Sequence, residues 1–321
     1  MDIYVPDYYE NFRCIGSSCR DNCCIGWEID IDSEALSKYM TLDGELGDEL
    51  RANITRSEDG SDCFRLAEND RCPFLNENNL CRLILSGGEE MLCEICHLHP
   101  RFRQWFGDRC EMGIGLCCEE AARIIISDTK PFGLHILSSE EGDGELSDVC
   151  KRLLHIREEI FEIINRGKSF SEISEMLLKH CSDAEKEFFG TKPMRTAVSH
   201  NVTYAKDVHF LISYLEPLNA HWEKVCAELS PVYAAPDERV LSGYKNLLTY
   251  YIFRYFMKSA DDGEIFLKAA LGVFSAECSA LISKFTGQSL EESSCLWSKE
   301  TEYSEENLDM IYDFLYTCYY E

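Results

Sequence analysis

The stretch "CEICHLHPR", residues 93 to 101, holds Cys93, Cys96 and His97 in the C-x-x-C-H order that attaches a c-type haem through two thioethers and an axial imidazole. The same pair could also be a redox dithiol, or one part of a larger metal site. Twelve of the 18 cysteines lie between Cys14 and Cys118; a haem uses two of them and leaves ten without a task. Haem attachment also follows export, and the opening "MDIYVPDYYENF" has neither a basic n-region nor an apolar h-region. No βαβ pattern frames Cys93 and Cys96 as a thioredoxin-like motif requires. The clustered thiols read instead as metal ligands.

Their spacing supports this. Cys14, Cys19, Cys23 and Cys24 form C-x4-C-x3-C-C, followed by Cys72 in "CPFL", Cys81 in "CRLI", and Cys93 with Cys96. Tetrahedral zinc would replace a core that a loop-rich segment cannot build. An iron–sulfur cluster uses the same soft donors and adds redox activity. Adjacent side chains in an extended backbone point apart, so Cys23 and Cys24 serve different sites or only one of them binds. Cys150, Cys181, Cys226, Cys278, Cys295 and Cys318 stand singly in helical segments and read as small buried hydrophobes. The scattered His135, His155, His180, His200, His209 and His221 carry no ligand spacing.

A formal net charge of −27 and a pI near 4.6 repel nucleic acid and anionic lipid, which disfavours both as partners. The most apolar stretch, "FLKAALGVFSAECSALI", is interrupted by Lys268 and Glu277 and reads as amphipathic rather than membrane-spanning. A soluble, cytoplasmic protein is expected, and in a reducing compartment dense cysteines point to metal before disulfides.

The elements that must position these thiols are short. Alternation at Ile25, Trp27, Ile29, Ile31 and at Phe64, Leu66 predicts brief strands, and "NENNL" predicts a turn. The acidic "EEGDGELSD", 140 to 148, marks a boundary. Beyond it the period becomes helical. One stripe runs through Leu153, Ile156, Ile160, Ile163 and Ile164, and a stronger one through Leu241, Tyr244, Leu247, Leu248, Tyr251, Ile252, Tyr255 and Phe256. Ser169 and Glu172 have capping-box spacing, and Ser304 precedes a last stripe. The expected fold is mainly α: a cysteine-rich metal-binding region with short strands and loops over 1–125, an acidic linker over 126–148, and an α-helical domain over 149–321. At that spacing the aromatic residues between 244 and 256 read as core.

The run C-x4-C-x3-CC, then "CPFL", a cysteine nine residues later and C-x3-P at Cys96 to Pro100 resembles the cysteine-cluster family of zinc- or iron-chelating domains. The longer segments "CCIGWEID", "CPFLNENNLCRLI", "LCEICHLHPR" and "EMGIGLCCEEAARI" resemble the flagellin lysine N-methylase family, with weaker likeness at "YYIFRYF" and "SEENL". On that resemblance the family's cysteines fall on Cys14, Cys19, Cys23, Cys24, Cys72, Cys81, Cys93, Cys96 and Cys118. Cys63, Cys110 and Cys117 are extra, and Cys117 with Glu119 departs from the family pattern, leaving the ligand at that spot open.

The resemblance implies methyl transfer from S-adenosylmethionine to flagellin lysines in an iron–sulfur protein, with [4Fe–4S] the expected cluster and zinc the alternative. The chain lacks the C-x3-C-x2-C triad of radical enzymes, because Gly26 stands at its third position after Cys19 and Cys23. Its glycine pairs "GDG" and "GIG" lie in an acidic loop and a cysteine run. Lysine attacks only as the neutral amine, so a carboxylate or tyrosine near a cationic donor is needed. Asp30, Asp32 and Glu111 beside the motifs are candidates, against the plainer reading of solvated or capping carboxylates. A non-catalytic metal carrier, an electron-transfer module and a zinc-stabilised interaction protein are the alternatives.

Overall fold

A computed structural model of the chain describes residues 1–20, 22–27, 29–57, 60–139, 144–190, 193–218 and 220–321. The chain forms two compact units: a smaller one over 13–102 and a larger one built from 1–12 and 103–321. About 60% of the chain is helical, beside a small mixed sheet, so the mainly α expectation agrees with the architecture.

The first strand, β1 (Asp2–Pro6), belongs to the larger unit. The smaller unit follows, with α1 (Ser33–Thr41), α2 (Glu45–Asn53), the paired strands β2 (Ile54–Arg56) and β3 (Asp62–Phe64), α3 (Arg82–Gly87) and α4 (Glu94–Leu98). Its core holds Tyr39, Phe64 and Phe74, with Tyr39 and Phe64 ring centroids 5.8 Å apart and Phe64 to Phe74 5.0 Å. Helices shorter than about 12–15 residues do not hold alone in water. These depend on what they pack against, and the thiols are part of that core.

Two expectations change here. The Ile25–Ile31 run makes only isolated bridges, Ile25 with Arg71 and Asp30 with Cys63, and no extended strand among its described residues. The region also contains α1 and α2, which the pattern did not announce; each spans nine residues and buries only two, Ala35 and Tyr39 in α1 and Gly47 and Leu50 in α2. The "NENNL" turn forms: Asn76 Oδ1 accepts the amides of Asn78 and Leu80, and Asn79 takes a left-handed conformation at φ 56°.

In the larger unit β4 (Arg101–Phe106) leads through Gly107 and Asp108 into β5 (Arg109–Ile114), followed by α5 (Glu119–Ile126) and β6 (Leu134–Ser139). The sheet order is β4-β5-β1-β6, with β1 parallel to β5 and antiparallel to β6. Residues 134–139 of the stretch read as linker are thus a strand, while 140–143 lie outside the described residues. Then come α6 (Asp148–Arg166), α7 (Phe170–Phe189), α8 (Val202–Tyr214), α9 (Ala220–Glu228), α10 (Leu241–Tyr255), α11 (Ser259–Asp262), α12 (Ile265–Thr286), α13 (Leu290–Glu302) and α14 (Glu305–Tyr320).

Both expected stripes are core: Leu153, Ile156, Ile160 and Ile164 of α6 are buried, as are Tyr244 through Phe256 along the α10 face. Ser169 caps α7 and Ser304 caps α14 through the amides of Glu172 and Asn307. The α12 stretch is not amphipathic. Every residue from Ile265 to Ile282 is buried between neighbouring helices, and its two charges reach ion-pair partners at the edge of the core. Lys268 pairs with Asp262 at 2.7 Å and Glu277 with His200 at 2.9 Å. Among the described residues α12 alone is long and apolar enough to cross a membrane, and it lies wholly within this unit.

Candidate metal centre

Five expected ligands come together in the smaller unit. Cys72 and Cys93 are buried in its core, and Cys24, Cys81 and Cys96 pack against the same cluster. Backbone geometry explains the convergence. The Cys72 amide donates to the Cys24 carbonyl at 2.9 Å, Leu75 bridges to Cys81, and the Arg82 amide donates to the Phe74 carbonyl. Cys81 and Cys93 stand at the N-terminal boundaries of α3 and α4, and Cys96 lies one turn into α4.

The thiols feel one another. Cys93 and Cys96 share a hydrogen bond that holds the Cys93 proton more loosely and the Cys96 proton more tightly than usual. Cys24 is pushed up by its hydrogen bond with Cys23, then by burial and by the neighbouring thiols Cys72 and Cys81. Burial raises Cys72 to about 11. Five thiols this close cannot ionise together without a cation to offset them. Cys23 and Cys24 do not point apart as an extended backbone would require; they sit in a turn, which lets their side chains meet.

Cys23 meets Cys24 at this cluster, and Cys14, Cys19 and Cys118 are not among the residues packed in it. Cys14 is exposed, its sulfur accepting the Gly16 amide at 3.4 Å, and Cys19 is half-buried. Cys118 lies in the larger unit at the start of α5. Among the described residues, which include all 18 cysteines, there is no disulfide, and no three His, Cys, Asp or Glu side chains stand in a preformed metal geometry.

The donor set nevertheless fits a thiophilic centre. Soft sulfur ligands select zinc or iron–sulfur clusters over hard cations. An orphaned nitrogen lies beside them in sequence: His99 Nε2, three residues past Cys96, is buried without a hydrogen-bond partner. The His99 ring packs edge-on against Trp27 at 5.5 Å, which ties the segment after Cys24 to the segment after Cys96.

The expected carboxylates take structural positions. Asp32 Oδ1 accepts the α1 amides of Glu34 and Ala35, while Oδ2 accepts the Glu94 amide at 2.7 Å. One side chain thus caps α1 and α4 together and braces the Cys93–Cys96 turn, a link that its position 62 residues upstream concealed. These amides hold the Asp32 carboxyl below its ordinary value. Asp30 is exposed and bridges to Cys63 through its backbone. Glu111 is 0% exposed in the larger unit, clamped by Arg157 at 2.6 and 2.7 Å and by Arg109 at 2.8 Å. Burial pushes its carboxyl up, but the two guanidiniums outweigh that and hold it low.

Of the "GIG" glycines, Gly113 lies within the last residues of β5 and Gly115 follows it, ahead of α5. The turn is closed by protein: the Leu116 amide donates to the Tyr250 hydroxyl at 3.2 Å, and Cys117 is fully buried.

The chain is 25% identical over 175 residues to a protein named lysine-N-methylase from Salmonella typhimurium strain LT2, an alignment covering 52% of this chain and 43% of that one. A lysine-N-methylase from Salmonella choleraesuis gives 25% over 183 residues with the same coverage. The flagellar biosynthetic protein FliU of Salmonella muenchen is 27% identical over 134 residues, covering 40% of this chain and 79% of FliU. No family model and no solved structure matches the chain. The chain therefore spans under half the length of the two lysine-N-methylases, and over about half its own length it is distantly similar to proteins named for lysine methylation and for flagellar biosynthesis.

Proposed function

We propose that this protein is a lysine N-methyltransferase acting on flagellin, with a thiolate-held metal centre in its smaller unit. The reading rests on the likeness to the lysine-N-methylases and FliU, taken together with five thiols gathered in one core. Cys24, Cys72, Cys81, Cys93 and Cys96 would supply four ligands to a [4Fe–4S] cluster, with Cys14, Cys19, Cys23 and Cys118 the other expected cysteines; zinc is the alternative occupant. S-adenosylmethionine would supply the methyl group. Asp32 positions the Cys93–Cys96 turn through the Glu94 amide, and Cys72 and Cys93 lie buried in the core.

The test is mass spectrometry of the cognate flagellin after incubation with metal-replete protein and S-adenosylmethionine, with and without dithionite. Lysine peptides gaining one or more methyl masses are expected. Activity without reductant assigns the centre a structural role, and activity only with dithionite a redox one. No gain under either condition rejects the methyltransferase reading in favour of a metal carrier or electron-transfer module. An ultraviolet–visible spectrum of anaerobically purified protein separates the occupants, since a zinc protein is colourless.

A further inference from the structure

The four-stranded sheet of the larger unit has two edges, and the sequence treats them differently. β4, at one edge, carries the exposed Arg103, a charge of the kind that blunts strand-on-strand pairing. β6, at the other, reads "LHILSS" and has no Lys, Arg or Pro. Its backbone pairs with β1, and among the described residues no other main-chain hydrogen bond reaches Leu134–Ser139. Half the amides and carbonyls of such a strand point outward, a template for one more strand.

The side chains beside that open backbone are apolar. Ile3 opposes Ser138 and Tyr4 opposes Ile136, so Leu137 is an extra residue, a bulge at which the alternation of faces breaks. Ile136 is 49% exposed and Leu137 40%, two successive aliphatic side chains in water.

The flank is acidic. His135 Nδ1 lies 3.1 Å from Asp7 Oδ1 and its Nε2 3.4 Å from Glu10 Oε2, and the Ser139 hydroxyl donates to Asp2 Oδ1 at 2.6 Å. One imidazole between two carboxylates leaves the group negative whether or not the ring is protonated, and both carboxylates are at least half exposed. A second copy pairing along β6 would bring the same acidic flank, and a net charge of −27, against its own kind. A basic strand meets the opposite charge here, while Arg103 repels it from the β4 edge.

We propose that the free edge of β6 takes up an extended, lysine-bearing segment of a protein partner as a fifth strand, its main chain pairing with β6 and its cationic side chains facing Asp7 and Glu10. That this partner is the methyl-accepting protein rests on the methyltransferase reading; the preference of the edge for a basic strand does not.

The test uses the full chain without methyl donor and a fluorescein-labelled peptide of alternating valine and lysine, followed by fluorescence anisotropy. An alternating valine–glutamate peptide tests the charge, and the basic peptide N-methylated at every second amide tests the main-chain pairing. The unmodified basic peptide should bind at least about tenfold more tightly than either. Ile136→Lys should weaken it about tenfold by placing a like charge on the edge, and Glu10→Gln roughly twofold to fivefold, with helical circular dichroism retained. If Ile136→Lys unfolds, the two peptide comparisons still decide. Equal binding of the acidic or the N-methylated peptide, or affinity untouched by a folded Ile136→Lys, overturns the proposal. A dimer in sedimentation velocity that Ile136→Lys dissociates also overturns it and assigns the edge to a second copy. Peptide binding without methylation of flagellin keeps the edge and removes the methyltransferase; flagellin methylation with a KM unmoved by Ile136→Lys does the reverse.

Discussion

Asp32 shows how much one side chain can organise. Its two oxygens satisfy amides at the start of α1 and of α4, so Asp32→Ala leaves both helix ends uncapped. A loss of about 1–2 kcal/mol from the smaller unit is expected in urea titration, with weaker metal retention during chelator challenge. Glu111 carries a pH dependence. Its folded carboxyl lies below the unfolded value of about 4.3, so the stabilisation is complete above that value and is lost as pH falls through the lower folded one. Glu111→Gln should cost about 3–5 kcal/mol at neutral pH, because Arg157 would be left buried and unpaired, and should flatten the acid limb of thermal melts between pH 5 and about 3. The sequence pointed to these carboxylates by their place beside cysteine motifs, but not to their partners. Arg157 is 46 residues from Glu111, and Glu94, whose amide Asp32 accepts, is 62 from Asp32.

At the scale of elements, helices with a full apolar stripe were legible and short ones were not. The α6 and α10 stripes hold four or more buried residues each, whereas α1 offers only Ala35 and Tyr39, too few to establish a period. The α12 helix misled for the opposite reason: Lys268 and Glu277 imply a wet face only if no partner reaches them, and Asp262 and His200 do. The β4–β5 turn is decided by one residue. Gly107 has φ 59°, and a Cβ there would lie 2.4 Å from the Glu145 carbonyl oxygen. That oxygen is backbone and cannot swing aside, so Gly107→Ala should lower the melting temperature of the larger unit, with a cost of about 1–3 kcal/mol from strain and clash combined.

Across the whole molecule, the two units should respond differently to loss of metal. The smaller unit has helices of five to nine residues and five thiols in or against its core, so Cys96→Ser should strip the centre and expose 13–102 to protease while the larger unit's helical signal persists. Unchanged metal content and digestion pattern in that variant would remove Cys96 from the ligand set. Thiol density marked the segment in the sequence; which thiols gather in one core was not legible, since that depends on the Cys24–Cys72 backbone bond and on the Asp32 brace. The net charge of −27 favours encounter with lysine-bearing surfaces, an advantage that added salt should erode through screening over about 8 Å at physiological ionic strength. The placement of β1 bears on how the protein is made. Its neighbours in the sheet, β5 and β6, are encoded after residue 108, so β1 waits for partners through the synthesis of the entire smaller unit. At about 5–20 residues per second that delay is roughly 5–20 s, long enough for 13–102 to fold while both strands that will flank β1 do not yet exist.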